Sequence, residues 1–429
     1  MRNRGLFFGA HSAATILLIT SAISMRAWSA ETVLAKFSGI GGANPYGSLI
    51  GDSSGNLYGT TSLGGGSNAG VVFELVYSSE SGSYSEKVLY SFTGGSDGGR
   101  PTSTLVFDAS DNLYGTTSTG GLSGLGTAFE LVSLGGGNYS PTPTVLHSFA
   151  GGTDGANPAA GLIVDSSGNL YGTTEFGGGG GNCSSVASGC GVVFELAKAS
   201  GYEETILYHF TGQGDGGLPV ASLVMDNSKD LYGTATCGGE SNCAGMSAGN
   251  GVVFELVYSG SSYSSTPTVL HSFTGGSGGV PVAPVILDSA GNLYGTTKFG
   301  GGTGTLCSSS GCGVVFTIVK SGGVYKLLHS FVGTDGAQPT AGLTLHSSGN
   351  LYGTTFEGGT SGAGVVFTLR KSGADYGVLY SFEGKSDGGN PAGGVIEKGK
   401  GGKGGCTGAC GSTVNGGSGF GVVFQISPL

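Results

Sequence analysis

Residues 157–174 read NPAAGLIVDSSGNLYGTT, and the stretch Asn169-Leu170-Tyr171-Gly172-Thr173 decides the fold because it returns. NLYGT or a close variant occurs six times, with tyrosines at Tyr58, Tyr114, Tyr171, Tyr232, Tyr294 and Tyr352, spaced 56, 57, 61, 62 and 58 residues apart. A second motif, VVFEL-like, keeps the same beat seven times, through Phe73, Phe129, Phe194, Phe254, Phe316, Phe367 and Phe424. A unit of this length cannot bury a core alone, so the copies must stack on one another.

Working outward from Tyr171, short runs of β-branched and aromatic residues alternate with Gly, Asn, Asp and Ser. That pattern predicts an antiparallel meander with strands over 161–165, 169–173, 192–196 and 205–210. The D-x-x-G-N turn suits a hairpin because Gly and Asn tolerate positive φ. No convincing helical period follows residue 30. Four strands per unit of about 58 residues, seven times over, predict an all-β, seven-bladed β-propeller of four-stranded antiparallel blades. The ends predict how it closes. Thr32 to Phe37 matches the fourth strand of other units (Val88–Phe92, Val145–Phe149), and the chain stops on a third strand, Val422–Ile426. The N-terminal strand should therefore complete the last blade, about 392–429 plus 32–37, and remove an exposed edge. An open β-solenoid would leave that spare strand unexplained. In the last unit NLYGT is missing and EKGKGGKGGCTGACG stands in its place, so a distorted, loop-rich blade held by Cys406 and Cys410 is expected there.

Gly is 92 of 429 residues, clustered between hydrophobic runs as tight turns require. Charged residues are only 10%. Residues 1–30 read as a signal peptide: Arg2 and Arg4, an apolar stretch from Ala13 to Ile23, then small residues around Ala27, Ser29 and Ala30. An uncleaved anchor is the alternative, with an apolar core shorter than the ~20 residues of a membrane span. Removing the segment leaves residues 31–429 as one propeller domain, with 14 basic against 27 acidic groups, a net of −13. That balance offers no basic stripe for nucleic acid. Eight cysteines fall into four close pairs: Cys183 with Cys190, Cys237 with Cys243, Cys307 with Cys312, and Cys406 with Cys410. In an exported chain these are most simply loop disulfides. Zinc is the alternative, without CxxC knuckles or nearby histidines to support it.

VLHSFTGG, DGANPAAGLIVDSSGNLYGTT and GVVFEL, taken together, resemble the GloVer tandem repeat of exported bacterial proteins with various surface anchors. The resemblance spans residues 32–429 and implies an exported, propeller-like protein, with no established activity to carry over. More loosely, D-x-x-G-N-L-Y is similar to the hairpin of NHL and lactonase-type propellers, which speaks to fold alone.

In a meander, alternate connections emerge on the same face. The loop entering each unit and the loop joining its second and third strands should therefore share a face. The entering loops carry D-G-x-x-P at Asp97, Asp154, Asp215, Asp335 and Asp387, with Pro101, Pro158, Pro219, Pro339 and Pro391 four residues on. These aspartates are the candidate ligand-binding face, as oxygen ligands for a hard cation such as calcium or as acceptors for sugar hydroxyls. The plainer alternative is that each closes its own turn. His147, His271 and His329 share a slot with Tyr90, Tyr208, Tyr380 and, in the N-terminal strand, Ala35, which predicts packing of an outer strand, and His209 and His346 are isolated substitutions at Ser and Asp positions. No histidine stands in a recognised catalytic or metal spacing. Glu74, Glu130, Glu195 and Glu255 read as lateral polar positions, and the Thr-Thr pairs as strand-end hydrogen bonding.

Three functions fit these residues. The first is a non-catalytic binding propeller, expected to be monomeric, that recognises a glycan or surface protein from the periplasm, the cell surface or outside the cell; no cofactor is expected beyond that calcium. The second is an enzyme (lyase, lactonase or glycan hydrolase) at the central channel, with Arg100, Glu175, Glu240, Lys298 and Glu357 as its non-consensus candidates. The third is a purely structural envelope protein. A channel lined by small residues would count against the enzyme.

Overall fold

The computed structural model describes residues 31–427 except 182, 184–188, 241–242, 244–250, 303–306, 308, 397–405 and 407; the expected signal peptide lies outside them. Seven antiparallel sheets form a seven-bladed propeller, six of four strands and one of three. Blade 3 runs Ile163–Val164, Leu170–Thr174, Val192–Ala197 and Glu203–His209, in that spatial order. Its innermost strand is shorter than expected because the residues before it bond a neighbouring blade: the Ala160 carbonyl accepts from the Thr116 hydroxyl of blade 2. Lys198–Ser200 forms a single 3₁₀ turn, and among the described residues no helix is long and apolar enough to cross a membrane.

The last blade closes as the spare strand requires. Glu31–Lys36 pairs antiparallel with Val422–Ile426, which pairs in turn with Ala409–Thr413. The N-terminal strand even keeps the bulge of the other outer strands, between Val33 and Ala35 as between Val145 and His147. The apparent loss of NLYGT needs correction. Ala409-Cys410-Gly411-Ser412-Thr413 occupies the second-strand position, and Ile396 bridges Cys410 in both directions as the remnant of an inner strand. The signal in ACGST is its glycine. Each second-strand Gly faces a third-strand Phe whose ring lies over it, and a Cβ on Gly59 or Gly411 would sit 2.7 or 2.8 Å from that ring. The Gly of NLYGT and the Phe of VVFEL are thus one packing decision.

Each junction between blades repeats three devices. The Phe ending each outer strand packs edge-on against the next blade's third-strand Phe, from Phe92–Phe129 at 5.2 Å to the closing pair Phe37–Phe73 at 5.0 Å. Such pairs contribute about 0.5–1.5 kcal/mol beyond area burial. The first Thr of the second strand donates to the next blade's innermost segment: Thr60 to the Ser103 carbonyl at 2.8 Å, Thr354 to Gly393 at 3.1 Å. Ser412 does the same across the closure, 3.5 Å from the Gly47 carbonyl. The second Thr caps its own turn, as Thr61 does to Leu63. Finally, the Gly before each VVF-type strand touches the next blade's Pro. A Cβ at Gly70 would lie 2.6 Å from Pro101 Cδ, and one at Gly421 would lie 2.8 Å from Pro45 Cδ.

Candidate functional site

In every blade the entering loop bridges the loop between strands two and three, from Ala43 with Leu63 to Gly389 with Asn415, so these loops share one face. Each of the five aspartates is engaged within its own loop. Asp97 accepts the Thr93 amide at 2.7 Å, Asp215 the Thr211 amide at 2.7 Å, Asp335 the Val332 amide at 2.8 Å, and Asp387 the Glu383 amide at 2.7 Å; Asp154 accepts the Ala150 amide. Each is half-buried.

The outer-strand slot supplies a second partner, which corrects the packing-only reading of the histidines. Tyr90, Tyr208 and Tyr380 donate to Asp97, Asp215 and Asp387 at 2.9, 2.9 and 3.1 Å. His147 Nε2 lies 3.0 Å from Asp154, and His329 Nε2 lies 2.9 Å from Asp335. Tyr and His interchange because each places a donor at the same point. His271, whose unit lacks the aspartate, lies 3.3 Å from the Ser277 hydroxyl instead. The six- or seven-residue separation of His and Asp was visible in the sequence, but it belongs to no standard metal or catalytic spacing.

All four disulfides are local, as their spacing suggests: Cys183–Cys190, Cys237–Cys243, Cys307–Cys312 and Cys406–Cys410. The first two pack together across blades 3 and 4, with Gly217 against both. The non-consensus candidates do not assemble. Glu175 takes the Asn157 side-chain amide and Glu357 that of Gln338 at 2.6 Å, each within its own blade. Lys298 lies over Phe299 at 5.2 Å, and Arg100 and Glu240 are exposed.

At the axis the inner segments meet through small residues. The Gly394 amide donates to Ser48 Oγ at 2.8 Å, and the Ser48 amide to Thr104 Oγ1 at 3.0 Å. A Cβ on Gly161 would lie 2.6 Å from the Thr104 carbonyl and 2.9 Å from Ser222 Oγ; one on Gly342 would meet Pro284 at 2.9 Å. Ser48, Thr104, Gly161, Ser222, Pro284, Gly342 and Gly394 therefore form a ring without a titratable side chain.

The opposite face holds what the repeat pattern concealed. There the hairpin aspartate accepts two backbone amides, the Asn side chain and the Tyr hydroxyl; Asp52 does so from Ser54, Asn56 and Tyr58 at 2.9–3.2 Å. The same Tyr hydroxyl reaches the third-strand glutamate, Tyr58 to Glu74 at 3.0 Å and Tyr114 to Glu130 at 2.8 Å. Burial, reinforced by these carboxylates, pushes the tyrosine hydroxyls far above their ordinary range. A lysine from the next blade then clamps the aspartate: Lys198 on Asp108 at 3.7 Å, Lys320 on Asp226 at 3.1 Å, Lys371 on Asp288 at 3.1 Å. Between blades 3 and 4, Lys229 serves Asp165 at 3.3 Å. Burial works to raise the Asp288 carboxyl, and the bonds from Asn292, Lys371 and Ala290 outweigh it, holding it at about 2.

Between blades 1 and 2 this arrangement gives way. The backbone amides of Lys198 and Lys320 bond the hairpin Asn of their own blades, and in blade 2 the residue at that register is Ser133. Without a lysine there, the junction opens into a groove of about 700 Å³, lined by Asp52, Asn56, Lys87, Asp111, Ser133 and Tyr139 among others. A two-stranded hairpin, Ser133–Gly135 with Asn138–Tyr139, forms its far wall. Tyr139 stands edge-on to Tyr58 at 6.1 Å, and burial pushes its hydroxyl up to about 12. Lys87 crosses the junction, 3.3 Å from Glu74 and 2.6 Å from the Gly137 carbonyl. This groove has aromatic surface, carboxylates, hydroxyls and one cation, the donor and acceptor mixture that polar ligands require.

Comparison with solved structures shows the fold alone. The extracellular domain of a protein described as a hybrid two-component system, from B. thetaiotaomicron, superposes with a TM-score of 0.57 at 9% identity, over 92% of this chain and 39% of that one. A puromycin-hydrolyzing peptidase from Mycobacterium tuberculosis gives 0.50 at 12% identity, over 90% and 52%. A Bacteroides uniformis protein described as a 6-phosphogluconolactonase gives 0.49 at 13% identity, over 81% and 86%. No curated protein matches in sequence. The Gloeobacter/Verrucomicrobia repeat matches residues 9–246, 144–308 and 302–429, a span that takes in all seven blades, and the chain belongs to that family.

Proposed function

We propose that this chain is an exported, non-catalytic binding propeller that takes a glycan in the groove between blades 1 and 2. The observation that carries the reading is Ser133 at the register of the clamping lysine, which leaves Asp52 with its hairpin bonds and, among the described residues, no lysine, and half-buried Tyr139 lining the groove beside Asp111, Asn56 and Lys87. Sugars present apolar ring faces and many hydroxyls, so an aromatic platform ringed by acceptors and one cation suits them. The small-residue ring at the axis supports a binding role over catalysis there. Four disulfides and the repeat family support export, since such bonds persist in oxidising compartments.

The second surface is the face carrying Asp97, Asp154, Asp215, Asp335 and Asp387, whose carboxylates retain lone pairs beyond their loop bonds. A surface protein would fit that broad, disulfide-stiffened face better than a single sugar. A glycan array probed with residues 31–429, calcium present, tests both surfaces. Binding to one glycan class, lost in Tyr139→Ala and retained in the double variant Asp154→Asn, Asp335→Asn, is the expected result. The reverse pattern would move the site to the aspartate face, and silence across the array would sink the glycan reading.

A further inference from the structure

We infer that His147, Asp154 and Glu204 bind a divalent transition-metal cation of the zinc class at the junction of blades 2 and 3. His147 sits on the outer strand Thr144–Ser148, Asp154 on the loop that follows, and Glu204 on the outer strand of blade 3. The imidazole Nε2 is 3.0 Å from Asp154 Oδ1 and 3.6 Å from Glu204 Oε2, and one ligand atom from each residue falls within 4.8 Å of the others. Ligand atoms about 2.0–2.2 Å from a tetrahedral zinc stand roughly 3.2–3.6 Å apart, so the two separations from the imidazole are close to two edges of such a site. One nitrogen and two carboxylates suit zinc; calcium would ask for about six to eight oxygens.

An independent observation points the same way. The Glu204 side chain is only 8% exposed, and its Oε1 has no hydrogen-bond partner. A buried carboxylate and a half-buried one thus face one imidazole, the basic group in contact with both among the described residues.

The sister junctions show that the arrangement is not a by-product of the repeat. Where blade 3 offers Glu204, blade 6 offers Tyr376, stacked on His329 at 3.6 Å, and blade 5 offers Tyr325, stacked on His271 at 3.9 Å. His329 with Asp335 has the first two donors and lacks the third, which makes it an internal control.

This site is independent of the groove, so its test does not depend on the glycan. The chelator-stripped protein, disulfides intact, is titrated with zinc chloride by calorimetry and with cobalt chloride by visible absorption. One equivalent of zinc, cobalt bands of a four-coordinate nitrogen–oxygen site, and a raised Tm are expected. Loss of a residue that only braces a metal ligand weakens metal sites about 10–100-fold, so His147→Gln and Glu204→Gln should each lose at least that factor. His329→Gln should leave binding unchanged. Glu204→Gln removes a buried charge and should fold at least as well as the parent without metal, so its loss of binding cannot be ascribed to unfolding. No saturable zinc equivalent in the parent protein, or binding that survives both variants, would overturn the assignment.

Discussion

The junction between blades 5 and 6 and the junction between blades 1 and 2 are written in the same repeated motifs and end in opposite states. At the first, Lys371 clamps Asp288 at 3.1 Å and Tyr376 lies flat on His329. At the second, Ser133 stands where a lysine would be, and a groove opens beside Asp52. The backbone, the Phe pairs and the Thr bonds are common to both. The difference teaches that the repeat supplies closure, while single departures from it supply surfaces on which chemistry can differ.

The largest expected effect tests the shared part. Gly421→Val and Gly364→Val should each destabilise by more than about 3 kcal/mol, through strained positive φ and overpacking. A Cβ would lie 2.3 Å from a carbonyl oxygen at both positions, against the next blade's Pro. Denaturant unfolding should give equal losses, since the composite blade closes like a regular one; a much smaller loss at Gly421 would mean that the closure opens separately.

Next in size is pH dependence at the clamped junction. The Asp288 carboxyl is depressed from its usual 3.8 to about 2, so its contribution is present above about pH 4 and disappears as pH falls through about 2. A shift of that size in a mostly buried group is worth about 1–2 kcal/mol after allowance for solvent on one side. Asp288→Asn should flatten that acid limb in thermal melts from pH 2 to 6. An unchanged limb would deny the clamp its role.

Thr60→Val should cost about 1 kcal/mol, the net worth of a buried hydroxyl bond plus an orphaned carbonyl. The check is a thermal melt beside Thr61→Val, which removes only a local cap. Smallest of all, Tyr139→Ala at the groove edge should change stability by less than about 1 kcal/mol while removing glycan binding.

Much of the fold was legible because closure is repeated. Gly opposite Phe and the bulged outer strand each recur seven times, and even Glu31–Lys36 could be matched to a blade at the far end of the chain. The last blade was harder to see, because Cys410 replaces the Tyr and only Gly411 and Thr413 survive as signals. The groove was hidden for a different physical reason. A lysine from one unit serves an aspartate of the preceding unit, so the meaning of Ser133 appears only when two blades are set side by side. The same holds for Glu204, which meets His147 across a junction. Contacts within a unit leave a periodic trace; contacts between units leave one only if both partners repeat.

The most direct measurement is the affinity of an array-selected glycan for the parent protein and for Ser133→Lys, read by calorimetry alongside a thermal melt. Installing the lysine should let it reach Asp52 as Lys320 reaches Asp226, hold or slightly raise Tm, and weaken binding by at least about tenfold, or 1.4 kcal/mol. Unaltered affinity in a stable Ser133→Lys protein would contradict the claim that this junction, rather than the repeat as a whole, is where the ligand sits.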